Sequence, residues 1–264
     1  MSGFVASQAK PTAAARFLLL AATVMELTPL RETLRQTTSD DQQAVSRLDF
    51  LCCGVGLTAT AATLAGYLAS QPDRCRDYAG VILGGVAGAY PVPADLLETA
   101  NEQTDEPPKP AEILDICLAD REVLGDFGIA TIHVADPFTH PDLVAAHEFS
   151  LDTPLASAAK TILRQLKIPF HSGTFITVNA TTATSARALA LARRHQGLCE
   201  NMEGAAAAYV CQQYRLPLLE IRCISNKVGT RDFKRWRLSD AIKRNSEIIA
   251  QLLPKLALAV VVAK

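Results

Sequence analysis

Four short stretches hold side chains able to do chemistry, and each has a plainer use beside the chemical one. In "ATVMELTPLR", Glu26 directly follows an apolar run that reads as a strand. Ligands of α/β sheets bind beyond the carboxyl ends of the strands, so a carboxylate there is placed to act as a base. An acid in the first turn of a helix, favoured by the helix dipole, is the alternative. "CCGVGLTATAA" and "GVILGGVAGAYP" each put glycines after an apolar run. Such turns let backbone pass close to a ribose or phosphate, or simply pack a strand tightly on a helix. The dinucleotide fingerprint GxGxxG is missing, because Gly54-Val55-Gly56 continues to Ala59. A nicotinamide dehydrogenase therefore lacks its motif.

The third stretch, "ENMEGAAAAYV", sets Glu200 and Glu203 ahead of an alanine-rich helix. One carboxylate can accept two hydroxyl protons and so clamp the 2′- and 3′-hydroxyls of a ribose. Capping the helix is the other use of Glu203. In the fourth, "LPLLEIRCISNKVGTRD", an apolar strand runs out into Ser225 and Asn226. An amide there offers one acceptor and two donor hydrogens to a ligand, or bonds its own backbone as a turn residue.

The elements that must position these residues follow from hydrophobic periodicity. Phe17–Ala22, Leu48–Cys53, Gly80–Leu83, Phe170–Val178 and Leu218–Ile224 read as strands. Helices are expected over Leu27–Thr37, Thr58–Ala69, Leu155–Leu166, Thr182–His195, Gly204–Tyr214 and Leu238–Leu258, the last kinked at Pro254. Their alternation predicts an α/β fold, a three-layer α/β/α sandwich around a mixed, mostly parallel sheet. A polar, Ala-rich leader covers residues 1–15, and residues 16–264 are expected to form one domain. "NEQTDEPPKP", Asn101 to Pro110, is a loop of low hydrophobicity, suited to a flap or a subunit contact.

Composition limits the partners. With 264 residues, 49% hydrophobic, the chain can bury an ample core. A formal net charge of -1 without long runs of like charge gives no footprint for nucleic acid. Small molecules and other copies of the chain are the expected partners. Seven cysteines without CxxC spacing fit a reducing, cytoplasmic setting better than disulfides or a zinc site. "RFLLLAATVM" could serve as the core of a signal peptide, but it runs into Glu26 with no small-residue cleavage site. The C-terminal "LALAVVVAK" is too short to span a bilayer.

In this order, "MELTPLR", "GGVAGAYP", "NMEGAAAAYV" and "ISNKVGTRD" resemble the nucleoside phosphorylase and nucleosidase superfamily. Within it they are most similar to the futalosine hydrolases, relatives of the methylthioadenosine/S-adenosylhomocysteine nucleosidases. The resemblance runs from about Phe17 to Leu253. It implies that Glu26 activates a water, that Met202 and Glu203 bind the ribose, and that Phe175 stacks on the purine while the Ile176 backbone reads its edge. It also brings Gly85, Val86 and Ser225 to the substrate, with Arg231 as a loop contact. It implies no metal or organic cofactor, a nucleoside substrate, no membrane, and a homo-oligomer, dimeric or tetrameric. Phosphorylases of the superfamily hold phosphate with a serine and an arginine where this chain has Val86 and Glu26, although Arg31 is near in sequence. Water is therefore the expected nucleophile.

Adenine-specific relatives carry an aspartate where this chain has Asn226. As an N-glycosidic bond breaks, negative charge builds on the purine and a proton is taken up at N7. The amide oxygen can accept from N7–H while its NH2 donates to O6 of a 6-oxopurine. A 6-aminopurine meets donor with donor instead. Hypoxanthine or guanine is thus the expected leaving group. The alternatives are an adenine nucleosidase or a 6-oxopurine phosphorylase on the same fold, and a purine-sensing module without catalysis.

Overall fold

A computed structural model of the chain describes residues 15–37, 47–94, 110–140, 142, 145–230 and 232–262. The leader up to residue 14, the loop residues 101–109 and Arg231 lie outside the described residues. The elements in chain order are β1 (Arg16–Ala21), α1 (Val24–Thr37), β2 (Leu48–Cys52), α2 (Leu57–Ser70), α3 (Pro72–Asp77), β3 (Tyr78–Ala89) and β4 (Ile116–Leu124). There follow β5 (Ile129–Ala130), β6 (Ala135–Asp136), β7 (Glu148–Ser150), α4 (Pro154–Gln165), β8 (His171–Thr177), α5 (Ser185–His195), β9 (Gly197–Asn201), α6 (Gly204–Gln213), β10 (Leu218–Lys227) and α7 (Leu238–Val262).

The sheet is mixed and mostly parallel, as expected. Pairs β1–β2, β1–β3, β3–β10, β4–β8 and β8–β9 are parallel, and β10–β4, β3–β9 and β4–β7 are antiparallel. It is not, however, an open middle layer. β10 bonds both β3 and β4, so the path β10-β4-β8-β9-β3 closes on itself, with β1 and β2 extending outward from β3. Closure is possible because β3 is 12 residues long and serves different neighbours along its length. Tyr78–Leu83 pair with β1, whereas Gly88 and Ala89 pair with β9. A twisted sheet that curls until its edges meet leaves fewer backbone groups unpaired.

Helices cover the sheet on both sides, and β1 shows how. Its side chains alternate, Phe17 and Leu19 joining a core with α1, α4 and α7, while Leu18 and Leu20 join one with α2 and α6. Burial on both faces is why this strand is a continuous apolar run. Three expectations need correction. The glycines of "GGVAGA" do not form a turn after a short strand but continue β3, because each lets a neighbour press against the backbone. A Cβ on Gly84 would meet Ile249 Cδ1 at 2.6 Å, and one on Gly88 would meet Val228 Cγ2 at 2.9 Å. β4 escaped the periodicity because Asp120, Arg121 and Glu122 interrupt its apolar pattern. β9, which follows α5 after the left-handed Gln196, was likewise not expected. α7 runs through Pro254 to Val262. All seven cysteines are unpaired, and among the described residues no helix is long and apolar enough to cross a membrane.

Candidate active site

Where β1 ends, Thr23 caps α1 and Glu26 answers it. Glu26 N donates to Thr23 Oγ1 at 3.3 Å, and Thr23 N and Oγ1 donate to Glu26 Oε2 at 3.0 and 2.8 Å. This is a capping box, so the helix-cap use of Glu26 is realised. Its other oxygen reaches across the sheet, where Oε1 accepts from Val86 N at 3.3 Å. One carboxylate thus ties α1 to β3 and still lines a cavity.

β3 passes under it at Gly85, whose φ of 157° suits glycine. A Cβ there would sit 2.7 Å from Glu26 Oε1 and 2.8 Å from Arg222 Nη1. Asn245, buried on α7, fixes this backbone from the other side. Its Oδ1 accepts from Gly85 N at 2.9 Å and its Nδ2 donates to Ile221 O at 3.0 Å, clipping β3 to β10.

The centre of the arrangement is Arg222 on β10, which is 1% exposed. Its Nε donates to Glu220 Oε1 at 2.9 Å, its Nη2 to Glu203 Oε2 at 3.3 Å and its Nη1 to Val86 O at 3.4 Å. Burial by itself would lower its pKa. The carboxylates of Glu220, Glu203 and Glu26 outweigh burial and raise it, so the guanidinium stays charged. Sequence reasoning missed Arg222 by absorbing it into an apolar strand. The signal was present, since a charge between Ile221 and Cys223 cannot reach water and must be paired.

Glu203 stands at the N-cap position of α6, but its side chain makes no cap hydrogen bond. Asn201 Oδ1 takes that part, accepting from Glu203 N and Gly204 N at 2.9 and 2.7 Å. The freed carboxylate meets Arg222 on one oxygen and accepts from Gly56 N at 3.0 Å on the other. Gly54 and Gly56 have φ of 83° and 89°, so the turn between β2 and α2 offers its amide to Glu203.

Asn226 is aimed by a β-bulge. In the β10–β3 ladder Ile224 pairs with Ala87 and Asn226 with Gly88, which leaves Ser225 as the extra residue. Ser225 Oγ donates to Asn226 Oδ1 at 2.8 Å, and Asn226 Nδ2 donates to Lys227 O at 3.3 Å. A flipped amide would put oxygen against the Lys227 carbonyl, so the main chain fixes the orientation. One lone pair on Oδ1 and one hydrogen on Nδ2 are left over.

These groups share a cavity of about 330 Å³, within the range of small-molecule sites. Glu26, Val86, Met202, Glu203, Arg222, Ser225 and Asn226 line it. Gly85 lies beneath, against Glu26 and Arg222. Phe175 and Ile176 are not brought in. Both side chains are 0% exposed in the core, and the Ile176 backbone is paired on both sides, with Val123 and Glu200. A ring without accessible surface cannot stack on a ligand. The aromatic surface that the cavity offers is instead Phe233 with Trp236, centroids 5.0 Å apart. Glu200 also lines it, accepting from Tyr90 Oη at 2.7 Å and Thr182 N at 2.9 Å. Arg31 lies over the Phe50 ring, 5.1 Å from its centroid, and is not a lining residue.

Known proteins resemble the chain in sequence and in fold. Residues 109–257 match the family model described as the phosphorylase superfamily. A futalosine hydrolase of Streptomyces coelicolor is 30% identical over 209 residues, covering 79% of each chain. One from Thermus thermophilus is also 30% identical, over 77% of this chain and 80% of its own. The fold is that of a Helicobacter pylori futalosine hydrolase structure, with a TM-score of 0.69 at 18% identity over 90% of this chain and 98% of that one. A 5′-methylthioadenosine/S-adenosylhomocysteine nucleosidase from the same organism, solved with butyl-thio-DADMe-Immucillin-A, has a TM-score of 0.68 at 17% identity, covering 89% and 96%. The chain belongs to the phosphorylase superfamily and, within it, to the futalosine hydrolases.

Proposed function

We propose that the protein hydrolyses the N-glycosidic bond of futalosine to hypoxanthine and dehypoxanthinyl futalosine, a step of menaquinone biosynthesis in the cytoplasm, with residues 16–264 acting as one nucleosidase domain. The observation that carries the choice of base is the oriented amide of Asn226, whose free lone pair and free hydrogen suit N7–H and O6 of a 6-oxopurine. Met202 and Glu203 bind the ribose, and Glu203 accepts from its hydroxyls on the lone pairs not used by Gly56 and Arg222.

In this reading Glu26, steadied by Thr23 and Val86, takes a proton from the attacking water. The hydroxide bonds to C1′ as the electrons of the C1′–N9 bond pass to the base. Positive charge building on the ribosyl ring meets the Glu26 and Glu203 carboxylates. Negative charge on the base is relieved by a solvent proton at N7, which Asn226 Oδ1 then holds while Nδ2 donates to O6. A 6-amino group would face the same Nδ2 hydrogen, a buried mismatch of about 1–3 kcal/mol. Water is the nucleophile because Val86 offers no hydroxyl for phosphate and Arg31 is held on Phe50. Hypoxanthine release from futalosine in phosphate-free buffer tests the reaction directly, and a strict phosphate requirement would overturn it.

The enzyme is proposed to work as a homo-oligomer. Met25 and Val55 line the cavity while 61% and 56% exposed, and a second copy covering them would complete the mouth of the site. Light scattering at micromolar concentration checks this, and a fully active monomer contradicts it. Glu26→Gln should keep nucleoside binding in calorimetry but lose about 10²–10⁴ in kcat; retention of a tenth of the activity would exclude Glu26 as the base. Asn226→Asp sets a carboxyl oxygen against the Lys227 carbonyl unless it is protonated. Partial burial raises its pKa, so its gain on 6-amino nucleosides should be larger below neutral pH. The kcat/KM ratio for 6-oxo over 6-amino nucleosides with one 5′ group should fall at least about tenfold, one hydrogen bond or more in free energy. A ratio unchanged within about threefold, less than one such bond, would remove Asn226 from base recognition.

A further inference from the structure

Under the floor of the cavity lie two carboxyl groups that the reaction does not use. Glu122 on β4 and Glu220 on β10 are both 0% exposed. Gly204, the first residue of α6, sits on top of them. A Cβ there would lie 2.0 Å from Glu122 Oε1 and 2.5 Å from Glu220 Oε2. The two oxygens therefore crowd one small space, and glycine is what leaves it open.

Their hydrogen bonds are unequal. Glu122 Oε2 accepts from Thr177 Oγ1 at 2.6 Å and its Oε1 from Asn201 Nδ2 at 2.7 Å. Glu220 Oε1 accepts from Arg222 Nε, while its Oε2 is buried without a donor from any other side chain or backbone group among the described residues. Two adjacent carboxylates, both desolvated and one with an orphan oxygen, cannot both be ionised at low cost. A single proton between Glu122 Oε1 and Glu220 Oε2 removes the repulsion and supplies the missing donor. Burial, and next the Glu220 charge, push Glu122 well above the usual carboxylate range. Burial also raises Glu220, but Arg222 pulls it back, so the proton rests chiefly on Glu122.

We infer that Glu122 and Glu220 share one proton and form a monoanionic positioning unit that sets Arg222 and Glu203 for the ribose. One arm of the unit is direct, through Glu220 to the Arg222 guanidinium and on to Glu203 Oε2. The other runs through the side chains that grip Glu122. Thr177 Oγ1 accepts from Ala205 N at 2.9 Å, and Asn201 Oδ1 accepts from Glu203 N and Gly204 N. The start of α6, which carries Glu203, is thereby tied to the same carboxyl pair. Loss of the shared proton or of one carboxyl would release both grips on Glu203.

The kinetic arm of the test rests on the proposed hydrolase reaction; the proton arm needs no substrate. Glu220→Gln replaces the shared proton by an amide hydrogen. Its Nε2 can donate to Glu122 Oε1 while its carbonyl accepts from Arg222, and the unit keeps one negative charge. Glu220→Leu has similar bulk and no polar atoms. In urea titrations between pH 6 and 8, the wild type should release one proton on unfolding, because both carboxyls ionise in the unfolded chain. A group raised in the native state contributes stability fully below its ordinary value, 4.5 for Glu122, and loses it as pH rises toward the native value. The wild-type unfolding constant should therefore climb about tenfold more per pH unit than that of Glu220→Gln, one proton's difference. The other groups facing the pair, Arg222, Glu203 and the Cys199 thiol, are common to both proteins and cancel. Equal slopes overturn the shared proton. On futalosine, Glu220→Gln should keep at least about a third of kcat/KM, while Glu220→Leu should lose tenfold or more, a hydrogen bond to a charged group being removed. Equal losses in the two variants, an undiminished Leu variant, or a Gln variant that fails to fold each overturn the positioning role. If the Leu variant does not fold, the pH slopes decide. A wild type with native slopes and no turnover would sink the hydrolase reading alone.

Discussion

A guanidinium removed from water must find partners for its charge and its donors, and that requirement at Arg222 shapes the site around it. Glu220, Glu203 and the Val86 carbonyl supply the acceptors, and Glu26 faces the same cation across Gly85. Removing one partner of a buried pair typically costs about 3–5 kcal/mol, because the other charge is left uncompensated. The neighbouring backbone answers to the same demand. Gly85 leaves room for the Arg222 and Glu26 head groups, and Gly204 for the carboxyls behind them. Neither place would admit a side chain without displacing charged atoms.

The closed sheet delivers these parts to one place. β1, β3, β9 and β10 all lead to the cavity: Glu26 and Glu203 follow the carboxyl ends of β1 and β9, while Val86 and Asn226 lie in the carboxyl-terminal parts of β3 and β10. Asn245 clips β3 to β10 under the floor, so the peptide that touches both Glu26 and Arg222 is held from both sides. The bulge at Ser225 then turns the end of β10 so that Asn226 lines the cavity, with its amide orientation set by main chain. The orientation of this amide is built into the backbone, which makes it less adaptable than a loop side chain would be.

The residues legible in the sequence were those that break an apolar run at its end. Glu26, Met202, Glu203, Ser225 and Asn226 are polar or distinctive residues at or beyond the ends of apolar runs, although Ser225 and Asn226 lie within β10, and all line the same cavity. Illegible were charges inside strands. Arg222, Glu220 and Glu122 sit mid-strand, where a periodicity reading smooths them over, although burial of unpaired charge there is physically untenable. The same smoothing hid β4. Glycines misled in the opposite direction, since "GGVAGA" has turn composition but builds strand wherever a neighbour takes up the space of the missing Cβ. Phe175 could be placed on a strand but not on a face, because period 2 does not say which side is core when both are buried. Closure of the sheet depends on pairings distant in sequence, which local pattern does not encode.

Arg222 holds its partners through fixed geometry and not through charge alone. Lysine keeps the charge but lacks the planar fork that reaches Glu220, Glu203 and Val86 at once. Steady-state kinetics of Arg222→Lys on futalosine, with folding checked by circular dichroism, is the most direct measurement. The variant should fold and show kcat/KM reduced by about a hundredfold, two charge-assisted hydrogen bonds' worth. A folded lysine variant within about threefold of wild type, less than one such bond, would contradict it.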